Sequence, residues 1–344
     1  MSKKKQLGQF YTTNYEYILQ NLNIPDNVND IVEPFCGQGD LIKFVEKFNK
    51  TYNIECFDIE PKNDELNIIK QDTLLNPPDF NNKFVITNPP YLARNKSKDK
   101  TYYEKYDEND LYKCFIKILT ENVCVGGILI IPLNFWTTIR KNDIALRKIF
   151  LNKYKINRLN IFEENVFDDT SYTICAFQFE YKTNIEYDNI STYIYPNNIQ
   201  INLILNENNN YTIGGEIYQL KGTAKIERLT SKNKHKINTN LLLKCLDDDQ
   251  NKQISLSYND KHYIDDTPNL SARCYATLII EPEIDVEKQK KLIIDFNSFM
   301  KKNRNLYHSL FLTNYRESKG GHSRKRISFA LAYNIISYLL NTTI

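Results

Sequence analysis

Four short apolar runs between residues 30 and 91 each end in an acidic or amide side chain, and this repetition restricts the fold more than any other feature. Asp30-Ile31-Val32-Glu33 is followed at once by Pro34-Phe35-Cys36-Gly37-Gln38-Gly39-Asp40, then by Leu41, Ile42, Val45 and Phe48 at helical spacing. That order reads as strand, glycine turn and helix, the opening unit of a parallel nucleotide-binding sheet. Ile54-Glu55-Cys56-Phe57 runs into Asp58, Leu66–Lys70 into Gln71-Asp72-Thr73-Leu74, and Phe84-Val85-Ile86-Thr87 into Asn88-Pro89-Pro90-Tyr91. Open α/β sheets bind ligands outside the carboxyl ends of their strands, so Glu33, Asp58, Asp72 and Asn88 are predicted to share one site. Gly37 and Gly39 would let the backbone turn tightly and approach a ligand. Asp58, about twenty residues past the glycine turn, is placed to accept both hydroxyls of a ribose. Asp72 either accepts from an adenine amino group or opens a turn.

At 344 residues the chain suits two domains, expected at 1–182 and 183–344. Helices are predicted over Tyr15–Asn21 (with Asn14 as N-cap), Asp110–Asn122 and Asn142–Leu151. Strands over Ile128–Leu133, near Ile156–Phe162 and over Tyr172–Phe179 complete the first sheet, and the alternation Thr173, Cys175, Phe177, Phe179 suits a late antiparallel strand. Leu92–Asn109 is charged, rich in Lys and Tyr, and without hydrophobic period; it reads as a mobile loop beside the site.

Composition narrows the classes. A hydrophobic content of 41% and a charged content of 25% are those of a soluble globular protein. With a net charge of only +3, contact with nucleic acid must be made by a local basic patch. The seven Cys are scattered without a C-x-x-C pair and the four His are dispersed, which suggests neither a disulfide framework nor a metal site. Reduced thiols, the absence of an apolar run after Met1-Ser2-Lys3-Lys4-Lys5, and the lack of a membrane-length stretch make an intracellular protein with no membrane partner the expectation.

Asn88-Pro89-Pro90-Tyr91 carries the most specific chemistry. The exocyclic amine of a nucleobase is a poor nucleophile because its lone pair is delocalised into the ring. An Asn side-chain oxygen and a neighbouring backbone carbonyl can each accept one of its N–H groups and hold the nitrogen in a more tetrahedral geometry. Two consecutive prolines keep that carbonyl out of any helix or ladder. Tyr91 would offer a flat face on which a base stacks. A proline-terminated strand running into a surface turn is the plainer reading of the same four residues.

Together these motifs resemble, over residues 6 to about 181, the gamma group of S-adenosylmethionine-dependent DNA adenine-N6 methyltransferases. Gln6–Thr13, with Gln9, Tyr11, Thr12 and Thr13, matches the family's motif X, which covers the methionine end of the cofactor. Thr13 stands where members often have Pro. Glu33-Pro34-Phe35-Cys36-Gly37-Gln38-Gly39 matches motif I, Asp58 and Ile59 motif II, Asp72-Thr73 motif III and Asn88–Tyr91 the catalytic motif IV. The resemblance implies a Rossmann-like class I methyltransferase sheet, S-adenosyl-L-methionine as cofactor, and Ile59 flanking its adenine ring. It also implies a second aromatic against a flipped adenine, falling at Phe179 with Phe177 as the alternative.

The C-terminal half matches no family motif. It is expected to be an α+β target-recognition domain, with helices over Asp285–Lys302 and Ile327–Leu340. Between them Asn314, Tyr315, Arg316, Lys319, His322, Arg324, Lys325 and Arg326 combine base-reading side chains with clustered cations. The implied reaction is methylation of adenine N6 in duplex DNA after base flipping, with a separately acting restriction endonuclease as companion. Enzymes that methylate a protein glutamine or structural RNA use the same tetrapeptide. The glutamine enzymes usually place their accessory domain first, which argues against them; an RNA enzyme and a binding module without catalysis remain as alternatives.

Overall fold

The computed structural model describes residues 8–167, 172–183, 189–247, 253–264, 274–315 and 324–342. The chain divides into two compact units, Met1–Thr212 and Ile213–Ile344. The first is built on a nine-stranded sheet in the order β3-β2-β1-β4-β5-β7-β6-β8-β9. Its strands are β1 Asp30–Glu33, β2 Asn53–Asp58, β3 Ile68–Lys70, β4 Phe84–Thr87, β5 Gly126–Pro132, β6 Tyr154–Phe162, β7 Ile174–Tyr181, β8 Asn189–Tyr195 and β9 Ile199–Ile204. Strands β3 to β5 run parallel, and β7 lies antiparallel between β5 and β6. This is the α/β sheet read from the sequence. All residues of β4 and β5 are buried, as continuous apolar strands covered on both faces must be.

Helices α1 Tyr15–Ile18, α2 Asp40–Val45, α3 Thr101–Tyr106, α4 Leu111–Glu121, α5 Asn134–Thr137 and α6 Lys141–Lys153 connect the strands. The chain leaves β1 for β2 and β3 on one side and returns to β4 on the other. The strand order therefore reverses between β1 and β4, and a crevice opens outside their carboxyl ends.

Two differences from the sequence reading stand out. The first unit continues to Thr212, thirty residues past the expected division at 182, because β8 pairs in parallel with β6 and β9 pairs with β8. And Leu92–Asn109 is not a loop throughout: α3 lies within it. Its tyrosines explain why. Tyr103 and Tyr106 are buried, and their hydroxyls donate to Leu92 O at 2.8 Å and Leu74 O at 2.6 Å, so the rings pack without stranding a polar group.

The second unit has a four-stranded antiparallel sheet of β10 Lys225–Arg228, β11 Leu241–Lys244, β12 Ser255–Tyr258 and β13 Tyr275–Glu281, in the order β10-β13-β11-β12. Helices α7 Val286–Tyr307 and α8 Phe329–Thr342 share its core through Leu292, Phe296, Met300, Leu331, Ile335 and Ile336. Asp285 caps α7 by accepting from Lys288 N at 2.7 Å. A two-stranded ribbon, β14 Thr313–Tyr315 with β15 Arg324–Arg326, stands between the helices in sequence. No helix among the described residues is long and apolar enough to cross a membrane.

Candidate cofactor pocket and catalytic loop

The crevice at the β1–β4 reversal is a pocket lined from every segment the sequence singled out. Gln9, Tyr11 and Thr12 come from the N-terminal segment, Glu33, Phe35 and Gly37 from the turn after β1, and Asp58 and Ile59 from the end of β2. Asp72 and Thr73 follow β3, and Asn88 and Pro90 follow β4. Thr13 is exposed and is not part of the wall; Pro34 and Gly39 lie behind it. Pro34 contributes its carbonyl, which accepts from Thr73 Oγ1 at 2.7 Å. Gly39 has φ +84°, so the backbone conformation demands glycine where α2 begins; a Cβ there would also press on the end of the Leu66 side chain, which would have to turn aside.

The acids of the pocket are tied to the backbone that shapes it. Glu33 Oε1 accepts from Phe35 N at 3.0 Å and from Thr87 Oγ1 at 2.5 Å, which fastens β1 to β4 at the reversal. Among the described residues its Oε2 is buried without a hydrogen-bond partner, as is Gln9 Oε1 on the same wall. Burial pushes the Glu33 carboxyl well above the ordinary carboxylate range, although Thr87 and Phe35 oppose the shift. Asp58 accepts from Gly37 N at 2.8 Å through Oδ2 and from Glu60 N at 2.7 Å through Oδ1. Burial raises this carboxyl too, against the pull of those two backbone donors. Asp72 opens a turn, its Oδ1 accepting from Leu74 N and Leu75 N, and its Oδ2 accepts from the Tyr102 hydroxyl at 2.8 Å.

Asn88 is held by its neighbours on both sides of the amide. Nδ2 donates to Phe10 O at 2.9 Å and to Thr12 Oγ1 at 3.0 Å. Oδ1 accepts from the Tyr91 hydroxyl, which also lies 2.7 Å from Ile130 O. Among the described residues the Pro89 carbonyl accepts no hydrogen bond. Past the tetrapeptide, Asp110 Oδ1 accepts from Leu92 N at 3.0 Å and so clamps the end of the loop. Burial raises the Asp110 carboxyl to about 6 and that of nearby Glu108 to about 7.

Neither of the two aromatic residues expected to meet a base lies open in the structure. Tyr91 is 3% exposed, its ring stacked on Phe10 at 5.2 Å and edge-on to Tyr112 at 5.9 Å, so it does not present an open platform. The close approach of Gly8, whose backbone oxygen accepts from Tyr91 N at 2.9 Å, brings the N-terminal segment over it. Phe179 is fully buried among Phe150, Tyr154 and Phe177, opposite Gly127 at the far end of β5 from the pocket. It fills space that Gly127 leaves empty, since a Cβ there would meet its ring at 2.8 Å. Phe177 is likewise core, edge-on to Trp136. Phe10, whose backbone oxygen accepts from Asn88 Nδ2, packs its ring 6.2 Å from that of buried Phe167. Phe10 lay inside a segment already singled out; Phe167 carried no periodic signal. Tyr102 and Leu111 also line the pocket and were not anticipated.

The basic stretch is only partly described. Asn314 and Tyr315 lie on β14 and Arg324, Lys325 and Arg326 on β15, paired Asn314 with Lys325 and Tyr315 with Arg324. Arg316, Lys319 and His322 lie outside the described residues. Among the described residues no group of three or more His, Cys, Asp or Glu side chains is arranged to hold a metal ion.

With this geometry in view, the chain can be set beside known proteins. Residues 5–167 match the family model of the Eco57I restriction-modification methylases. That match ends just before β7, so it covers the pocket, the catalytic loop and α3 to α6 but none of the second unit. No curated protein matches the chain. Solved structures similar to it include the methyltransferase subunit of a type I restriction-modification system from Streptococcus thermophilus, at 15% identity and a TM-score of 0.39 over 54% of this chain and 47% of that one. The type I restriction enzyme EcoKI M protein is similar at 14% identity and a TM-score of 0.40, over 54% of this chain and 48% of that one. The type IIG restriction endonuclease BpuSI is similar at 19% identity and a TM-score of 0.38, over 57% of this chain and 27% of that one. The chain thus spans less than half the length of each.

Proposed function

We propose that this chain transfers the methyl group of S-adenosyl-L-methionine to N6 of an adenine flipped out of duplex DNA, as the modification enzyme of a restriction-modification system. The observation that carries the reading is that Asn88 and Pro90 belong to the same pocket wall as the glycine turn and Asp58. The match of residues 5–167 to the restriction-modification methylases supports it. The residues present fit the cofactor. Buried, unpartnered Glu33 Oε2 and Gln9 Oε1 ask for a ligand with N–H donors and positive charge, which the methionine ammonium provides. Asp58, with acceptor capacity left on both oxygens, would take the ribose hydroxyls, and Ile59 and Leu111 offer apolar contact to a purine.

When bound, S-adenosylmethionine supplies a methyl group on a sulfonium, already a good leaving group. The chain's own task is then to position the amine. Asn88 Oδ1 and the Pro89 carbonyl each accept one N–H and free the nitrogen lone pair for attack. Flipping the base costs a few kcal/mol, offset by those hydrogen bonds and by aromatic contact with the neighbouring Phe10 and Phe167. The β14–β15 ribbon, which carries part of the basic stretch, would meet DNA, a two-stranded ribbon being of a width that the major groove admits. A companion restriction endonuclease acting on the same sequence would complete the system.

The test is transfer of labelled methyl from S-adenosylmethionine to unmodified DNA, bulk RNA and protein in parallel, followed by mass spectrometry of digested nucleosides. N6-methyladenine confined to DNA is the expected product. Label only in RNA or protein would overturn the substrate, and no label in any would overturn the activity.

A further inference from the structure

Helix α3 is fixed at both ends of its inner face by the hydroxyls of Tyr103 and Tyr106, which leaves Tyr102 on the pocket wall. There its hydroxyl donates to Asp72 Oδ2 at 2.8 Å. A count of lone pairs shows what this wall offers. Asp72 Oδ1 accepts from Leu74 N at 3.1 Å and Leu75 N at 3.2 Å, which uses its capacity. Oδ2 accepts once, from Tyr102, and retains one lone pair; the Tyr102 oxygen, having given its proton to Asp72, retains its own. Burial, reinforced by the hydrogen bond to Asp72, raises the Tyr102 phenol above its ordinary value, so the hydroxyl keeps its proton at neutral pH. A ligand meeting Tyr102 and Asp72 finds two neighbouring oxygens with acceptor capacity left.

We propose that Tyr102, acting with Asp72, selects the purine of the cofactor by accepting its exocyclic amine, so that adenine is admitted and a purine with a carbonyl at that position is refused. The inference rests on the S-adenosylmethionine reading above and adds a residue outside the matched motifs. A carbonyl oxygen there would face two oxygens whose one proton is already committed between them, so it could be met only by taking that proton from Asp72, and a buried polar site left unpaired discriminates far more sharply than an apolar one.

The experiment compares calorimetric binding of S-adenosylhomocysteine and S-inosylhomocysteine, without DNA, to the full chain and to Tyr102→Phe. The unaltered protein is expected to prefer the adenosyl compound at least ten-fold. Loss of one hydrogen-bonding group lowers affinity by about three- to ten-fold, so Tyr102→Phe should weaken the adenosyl compound by that factor and narrow the preference to match. An unchanged preference in Tyr102→Phe, at an unchanged thermal midpoint, overturns the proposal. So does Tyr102→Leu weakening both compounds equally while Tyr102→Phe changes neither, which would leave the ring as packing alone. If the unaltered protein binds neither compound, the cofactor reading itself fails, a result distinct from failure of Tyr102.

Discussion

The hydroxyl of Tyr91 donates to Oδ1 of Asn88, the atom that receives the target amine in the proposed mechanism. The phenol has one proton and two acceptors within reach, Asn88 Oδ1 and Ile130 O. Giving it to Ile130 frees the Asn88 oxygen without moving either side chain. The amide cannot turn over in exchange, because Nδ2 is held by Phe10 O and Thr12 Oγ1. Tyr91→Phe should therefore leave cofactor binding unchanged and lower kcat by about ten-fold, the scale of one lost orienting hydrogen bond. Equilibrium dialysis and single-turnover transfer separate the two effects.

Asn88→Ala removes the acceptor altogether. Transfer is expected to fall by more than about a thousand-fold, the scale of a lost transition-state hydrogen-bonding group, while cofactor affinity changes only several-fold. Full activity in this variant would sink the mechanism.

Glu33→Gln separates stability from binding. Burial raises the Glu33 carboxyl, so its contribution to stability is present below the unfolded value of about 4.5 and is lost as pH rises through the raised folded value. Gln keeps the oxygen that accepts from Phe35 and Thr87 but never charges. At pH 8 the variant should melt no lower than the parent while binding S-adenosylmethionine more than about ten-fold less tightly, as expected for loss of a buried charge partner. A lower melting temperature with intact binding would contradict the assignment.

The same sign applies to Asp110 and Glu108. Their carboxyls titrate near 6 and 7 in the folded chain, above ordinary values of 3.8 and 4.5, so the folded state holds the extra protons. Stability should fall as pH rises from 5 to 7.5. Glu108→Gln should flatten that fall by up to about 3 kcal/mol, read from urea midpoints across the pH range.

Phe179→Ala should cost about 3–5 kcal/mol of stability, the cost of truncating a buried aromatic, and leave the kcat of the folded fraction unchanged. Phe167→Ala, also at a buried ring, should cost stability as well but should in addition lower transfer to adenine, far more than it weakens binding of DNA that carries an abasic or mismatched target. The pair tests which aromatic serves the base.

The strand ends were legible in the sequence because each apolar run gives way to a proline or a polar side chain: Pro34, Asp58, Asp72 and Pro89. Their convergence followed from the rule that parallel strands point one way. Phe179 misled because alternation reports which face of a strand a residue occupies, not how far along the sheet it lies; only the register with Gly127 gives that. The helix α3 escaped notice because its three tyrosines pack through hydroxyls that meet carbonyls at Leu74 and Leu92 and the carboxylate of Asp72, distant in the chain. Phe10 was visible as a letter, but its stacking on Tyr91 is a tertiary fact.

The pairing of β8 with β6 sets where the first unit could be cut away as a working fragment. Ending it at 182 would strip β6 of a neighbour along Arg158–Phe162 and leave a row of open amides and carbonyls ready to recruit another copy. It would also take from Arg147 the Thr212 hydroxyl that one of its guanidinium nitrogens meets at 2.6 Å. A fragment carried through Thr212 keeps both, and it is the shortest piece in which solubility and cofactor affinity should survive together.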